Sequence, residues 1–498
     1  MSHIAFMDWV DAMKGVTPNL PGCSRLEKLP SEILSQILEH VTTPDTTHKS
    51  QYMADRLPGS ISNNLLILAF TNFSTVNPNA QTQKTSLFSC LLTSRRVFEV
   101  ALLLTYRCPK VGNFDKFLDV LSRRSQYQHL VRSLDLSATR PAASLMYLPN
   151  CLASTSGLKR LSVPLDAFKP RGTARNIFFG LPQLESIEIT DRYRDDRDLI
   201  LTAGEFEGLS DTTMSSITTL SLTEVLFGDC LIHILPRCPN LRILDLKRCS
   251  FDAQDLSALH PDARLTQLIL EECQGLNGDE ITQFITNHLA VTTTLEVLNL
   301  GRLHTGHGPS LQTENVTTIL EKVPASLRSL DLGGSRMSVS HIPLLQRLGT
   351  QLEELGLGHC LAMEDIEEIL LGSQYDLSET AIDTPANKDT PTNPQLATLA
   401  TAVSATQLQQ RIRSLSLKNK ATKTLKPTIR HLDLRNSPGI PVDELRLCLL
   451  FGAQSLPLHR IELQNCVTRD ARELIRVCAA VGWKVEWVGR RIWIERKA

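Results

Sequence analysis

The chain has 498 residues, a formal net charge of −1, 42% apolar residues and 12 cysteines. That length exceeds what one ordinary core organises, so several domains or one elongated repeat array is expected. The near-neutral balance supplies no field to draw nucleic acid or an anionic membrane, and the longest apolar run, Leu65 to Phe70, is far shorter than the ~20 residues of a membrane-spanning helix.

Residues 1–25 read as a flexible lead-in, because a short apolar segment from Ile4 to Met13 gives way to Gly15, Pro18, Pro21 and Gly22. His3, Asp8 and Trp9 interrupt the opening, which is not the basic and then apolar pattern of a leader, so an intracellular location, in nucleus and/or cytoplasm, is expected. A helical module follows over 26–110. Pro30 opens a helix with Glu32 in its first turn, and Ile33, Leu34, Ile37, Leu38 and Val41 recur at helical spacing. Residues 42–85 are rich in Thr, Asn, Ser, Pro and Gln and read as an inserted loop. Leu87, Cys90, Leu91, Val97, Phe98, Ala101, Leu102 and Leu104 then form a second helical pattern, and Phe114, Phe117, Leu118 and Leu121 a third.

Over 111–482 one phrase recurs: apolar, two variable residues, apolar, one variable, apolar, two variable, then often a small residue. Its clearest forms are Leu241-Leu244-Leu246-Cys249, Leu265-Leu268-Leu270-Cys273, Leu352-Leu355-Leu357-Cys360 and Leu458-Ile461-Leu463-Cys466. Other copies begin at Val131, Leu158, Leu184, Ile217, Leu295, Leu327, Ile412 and Ile429. Most starts lie about 24 to 33 residues apart, a leucine-rich-repeat period. Each phrase predicts a short strand and each following stretch a helical return. One return runs from Asp279 to Leu289, with Ile281, Phe284, Ile285, His288 and Leu289 on one face, and others lie over 365–371 and 442–450. None of these units buries its apolar side alone, so stacking must supply the core. The fold class expected is an α/β solenoid, a leucine-rich-repeat horseshoe preceded by a small helical module.

Residues 372–410 carry few large apolar side chains and are expected to be a disordered insertion in the array. The interval from Ile412 to Ile429 is too short for a full repeat, so one return there is a bare loop. Over 483–498, two period-two segments flank Gly489-Arg490 and predict a capping hairpin, with Val485, Trp487, Ile492 and Ile494 as covered positions.

No pair of cysteines stands at CxxC spacing, and Cys249, Cys273, Cys360 and Cys466 share one repeat position, where a buried reduced thiol packs well. The chain holds no GxxxxGK[ST], HExxH or GxSxG, and the acidic residues of 191–198 alternate with Arg192, Arg194 and Arg197 as in a solvated loop. No catalytic residue, cofactor or metal site is expected. Binding is expected instead. The variable residues flanking the middle apolar position point away from the core, and they include Lys247, Glu271, Lys418, His431, Asp433, Arg435, Arg460 and Glu462. A protein target is expected on this concave wall. The stretch from Lys418 to Gln464 is favoured for an acidic or phosphorylated target, with Arg435 and Arg460 as forked donors.

Leu29-Pro30-Ser31-Glu32-Ile33-Leu34-Ser35-Gln36-Ile37-Leu38 resembles the opening of an F-box, and 87–98, with Leu91, Leu92, Arg95, Arg96 and Phe98, resembles its second half. The match departs from the family in the insertion of about 40 residues between the halves, which loop-closure entropy tolerates when both ends stay close. With the repeats, the chain is similar to F-box proteins with leucine-rich repeats of the fungal type. The resemblance implies a non-catalytic substrate-recognition subunit of a Skp-cullin-F-box ubiquitin ligase. Leu29, Pro30, Ile33, Leu34, Ile37, Leu38, Leu91, Leu92 and Phe98 then correspond to positions that meet a Skp-type adaptor or form the motif's own core, and the adaptor links to a cullin. The alternative is a leucine-rich-repeat interaction scaffold without a ligase role.

Overall fold

The computed structural model describes residues 30–42, 95–109, 111, 114–123, 125–137, 148, 155–168, 181–190, 200–201, 214–227, 230–302, 311–371, 427–435, 457–464, 471–480, 482–488 and 491–496. The lead-in, the inserted loop beyond 42, the insertion over 372–410, the return over 442–450, the phrase at Ile412, Cys466 and the acidic loop over 191–198 lie outside them. The chain divides into two compact units, 1–311 and 312–498, so the division falls between repeats and not where the helical module meets the array.

In the first unit, α1 (Ser31–Thr42) starts where Leu34 N–H donates to the Pro30 carbonyl at 3.0 Å. Proline is suited to a helix start, where its missing N–H has no helical bond to make. α1 packs against α2 (Arg95–Arg107), and α3 (Phe114–Arg123) buries Phe114, Phe117, Val120 and Leu121 along one stripe. The Arg107 carbonyl, at the end of α2, accepts a hydrogen bond from Arg132 N–H at 2.9 Å. The helical module is thereby tied to the first repeat.

The strands of this unit are β1 (Ser133–Asp135), β2 (Arg160–Pro164), β3 (Ser186–Thr190), β4 (Ile200–Leu201), β5 (Thr219–Thr223), β6 (Leu226–Phe227), β7 (Ile243–Asp245), β8 (Gln267–Ile269) and β9 (Val297–Asn299). Seven run parallel in the order β1-β2-β3-β5-β7-β8-β9, and their register aligns Leu134, Leu161, Ile187, Leu220, Leu244, Leu268 and Leu298, all fully buried. This row is the middle apolar residue of each phrase, placed inward because side chains alternate along a strand. β4 and β6 pair in a separate parallel ribbon that the repeat phrase did not predict. Short helices α4 (Leu231–Ile234) and α5 (Ala253–Ser257), then α6 (Gly278–Asn287) and α7 (Leu289–Thr292), supply returns.

The return at 279–289 is shorter than its sequence pattern suggests. His288 has an extended backbone, its Nδ1 accepts from Ala290 N–H at 3.2 Å, and the chain restarts as α7. Leu289 therefore leaves the apolar face and is 59% exposed.

The second unit contains α8 (Thr313–Lys322), β10 (Ser329–Asp331), α9 (Ile342–Leu348), β11 (Glu354–Gly356), α10 (Met363–Leu371), β12 (His431–Asp433), β13 (Arg460–Gln464), α11 (Ala471–Ala480), β14 (Trp483–Val488) and β15 (Arg491–Arg496). Its strand order is β10-β11-β12-β13-β15-β14, with the first four parallel and the hairpin antiparallel. β11 pairs directly with β12, so no strand separates them. Both units combine parallel strands with helices, and from β7 onward helical returns lie between several of them, an α/β solenoid-like arrangement.

The hairpin docks on the last repeat through β15, which pairs Ile461 with Ile494 and Leu463 with Ile492. Ile492 and Ile494 are buried as the sequence suggests, and Val485 is half-buried. Trp487 is not covered. It lies at the far end of the outermost strand and is 44% exposed, whereas Trp483 on the same face is buried.

Candidate protein-interaction surfaces

The first surface lies on α1. Leu34 and Leu38 are buried, while Ile33 and Ile37, one turn apart, are 42% and 38% exposed and Pro30 is exposed beside them. The helix therefore divides its apolar residues between an inner pair and an outer pair, a separation the sequence pattern left open. On α2, Val97, Val100, Ala101 and Tyr106 are buried and Leu103 is exposed. Tyr106 stacks on Tyr127 at 4.5 Å between ring centroids, and Thr105 Oγ1 donates to the Ala101 carbonyl at 2.8 Å. Leu29, Leu91 and Leu92 lie outside the described residues, as does the Phe98 side chain.

The second surface is the outer face of the strands. Five of the strand exits carry a clasp in which an Asx side chain accepts from the N–H two residues on. The bonds are Asp135 to Ser137 (2.9 Å), Asp245 to Lys247 (3.2 Å) and Asn299 to Gly301 (2.8 Å) in the first unit. Asp331 to Gly333 (2.8 Å) and Asp433 to Arg435 (3.0 Å) repeat it in the second. Such Asx turns fix the direction in which the chain leaves the strand. The recurring Leu-Asx-Leu of the sequence is thus built into the turn as well as facing outward.

In the first unit Lys247 Nζ lies 3.0 Å from Glu271 Oε2, and Glu271 is buried. Beside this pair runs a ladder that the outward-facing pattern did not predict. Glu224, Arg248, Glu272 and Arg302 all adopt left-handed backbone, with φ of 62°, 58°, 59° and 57°. Non-glycine residues take this conformation at a cost of about 1 kcal/mol or more. Here the cost is offset by alternating charge: Arg248 bonds Glu224 and Glu272 at 2.6 Å each, and Arg302 bonds Glu272 at 2.8 Å. Burial alone would raise the Glu272 carboxyl, but the two guanidiniums hold it below the usual carboxylate range. The signal lay in register, because each of the four is the second residue after the last apolar position of its phrase.

In the second unit the register sets Ser329, Glu354, His431, Arg460 and Glu495 side by side, and next to them Asp331, Gly356, Asp433, Glu462 and Trp493. His431, Asp433 and Glu462 are all buried here. Arg435 departs from the sequence expectation of an outward forked donor. Its guanidinium is 1% exposed and holds Asp433 (2.6 Å), Glu462 (3.3 Å) and Asp331 (3.6 Å). Buried carboxylates need a counter-charge, and the bare strand position at Gly356, where a Cβ would meet the Asp331 carboxylate, leaves room for it to reach them. Arg491 also approaches Glu462 at 3.5 Å. Arg460 keeps partial access: it pairs with Glu495 and lies 4.4 Å above the Trp493 ring. Lys418 lies outside the described residues.

Two of the repeat cysteines, Cys249 and Cys273, are buried structural thiols. The Cys249 and Cys273 thiols donate to the Leu222 and Leu246 carbonyls at 3.0 and 2.8 Å, and burial pushes both thiols well up. Cys360 differs: its φ of 76° accompanies an exposed position, so it is not the buried thiol expected from the repeat. Among the described residues no group of three His, Cys, Asp or Glu is placed to hold a metal, and no helix is long and apolar enough to cross a membrane.

No protein-family model matches the chain, and no curated protein matches it. Among solved structures it is similar to a chain in the crystal structure of the Rad7 and Elc1 complex in yeast, at 12% identity. The match covers 59% of this chain and 90% of that one, with a TM-score of 0.26.

Proposed function

We propose that this protein is the substrate-recognition subunit of a Skp-cullin-F-box type ubiquitin ligase. Its helical module binds a Skp-type adaptor, its repeats bind a protein target, and it promotes ubiquitin-dependent degradation of that target within the nucleus and/or cytoplasm. It contributes proximity and orientation and is not itself an enzyme. The observation that carries the reading is the division of α1, with Leu34 and Leu38 inside and Pro30, Ile33 and Ile37 outside. A short helix that keeps an apolar pair on its solvent side is suited to a partner's groove.

Co-expression of the full chain with a Skp-type adaptor and size-exclusion chromatography tests this. Wild type is expected to co-elute with the adaptor, and an Ile33→Asp, Ile37→Asp variant, altered outside the core, is expected to elute alone while remaining folded. Co-elution of the double variant at wild-type yield would exclude α1 as the contact. Failure of wild type to bind would favour the alternative, an interaction scaffold that acts through its repeats alone.

A further inference from the structure

We propose that this chain pairs with a second copy of itself along the free edge of β14, antiparallel and centred on Val485. Among the described residues, β14 is the last strand of its sheet and pairs only with β15. An unpaired edge presents a row of backbone donors and acceptors, and its six residues, Trp483 to Val488, contain no proline to block pairing.

The charges on this strand select the register. Lys484 and Glu486 stand two residues apart on the outer face and form an ion pair with each other. In an antiparallel pair centred on Val485, Lys484 lies opposite the second copy's Glu486, and Glu486 opposite its Lys484. The four charges then alternate around a square, and opposite charges directly across a strand pair are favourable. Centring the pair on Lys484 or on Glu486 sets like charges face to face. So does parallel in-register pairing. Only the register through Val485 satisfies both residues in both copies.

The other face of the strand agrees. Trp487, 44% exposed, is the large apolar side chain this edge leaves uncovered, and Trp483 lies on the same face. The Val485 register brings each Trp487 against the second copy's edge beside Trp483, whose ring is already buried in its own chain, so the contact gives cover to Trp487 and not a new ring pair. Edge and charge pattern therefore select one self-complementary contact, and the exposed Trp487 gains cover from it.

The test is the mass of the full chain in solution, by light scattering over a series of concentrations, with Lys484→Glu, Glu486→Lys and the double reversal. Wild type is expected to rise from 55.4 kDa to twice that mass. Each single reversal gathers four like charges and should remain monomeric. The double reversal restores alternation and should dimerise again, and an equimolar mixture of the two single variants should form a mixed dimer, which also shows that both are folded. The proposal is overturned if wild type stays monomeric throughout, if the single reversals dimerise as wild type does, or if neither the double variant nor the mixture recovers the dimer.

Discussion

The guanidinium of Arg435 lies 3.6 Å from Asp331, two strands away, with Gly356 of β11 between them in the register. A Cβ at Gly356 would overlap the Asp331 carboxylate, so the glycine keeps open the space in which the two charges meet. Three buried carboxylates, from β10, β12 and β13, converge on this one arginine. The network holds neighbouring repeats in register from the outer face, where no apolar core is available to do so.

Gly356→Ala should therefore destabilise the second unit although it adds a single methyl group. Overpacking typically costs about 1–3 kcal/mol, and here the neighbour that must move is a bonded carboxylate. Urea unfolding should show a lower midpoint with an unchanged slope. A midpoint equal to wild type would mean that Asp331 has another position available to it.

Removing the arginine should cost more. Arg435→Ala removes the cation that Asp331, Asp433 and Glu462 share in a buried site, with Arg491 left 3.5 Å from Glu462, and losing one partner of a buried ion pair costs about 3–5 kcal/mol. Arg435→Lys should recover only part of this, because an ammonium cannot fork between carboxylates on different strands. The urea midpoints should rank wild type, Lys, Ala. If Arg435→Ala matched wild type in stability yet lost its target, Arg435 would return to the recognition surface.

The ladder through Glu272 makes a prediction about pH. The folded pKa of Glu272 is held below its unfolded value, so its contribution is present above the ordinary carboxylate range and is lost as pH falls through the folded value. Glu272→Gln should be less stable than wild type at neutral pH, by about 0.2–1 kcal/mol for each partly exposed pair it breaks. That gap should narrow as the pH is lowered through the carboxylate range and below. A gap independent of pH would show that the amide and the carboxylate are equivalent in this turn.

The sequence carried the strands because one inward residue per phrase, from Leu134 to Leu298 and again from Leu330 to Ile461, must be apolar for stacking to bury it. It carried the division of α1 less well. Ile33, Leu34, Ile37 and Leu38 are chemically alike, and only the position of α2 decides which pair is inside. Strand alternation directs Arg435 outward, but it fixes where a side chain starts, not where a long one ends. Its course depends on the glycine at 356, far off in sequence and adjacent in register. Trp487 follows the correct alternation and is exposed because it lies at the far end of the edge strand from Trp483, which is buried on the same face.

The same distinction between repeat position and local backbone governs the cysteines. Cys249 and Cys273 have buried thiols bonded to carbonyls of the preceding repeat, and burial disfavours the reactive thiolate. Cys360 occupies the corresponding position of its phrase, yet it is exposed at a left-handed residue. Brief treatment of the native protein with iodoacetamide, followed by peptide mass spectrometry, should label Cys360 well before Cys249 or Cys273. Denaturant should then equalise the three, because it removes the burial that separates them. Early native-state labelling of Cys273 would show that the stack between β7 and β8 opens readily, and the thiol-to-carbonyl bonds would then contribute little to holding those repeats together.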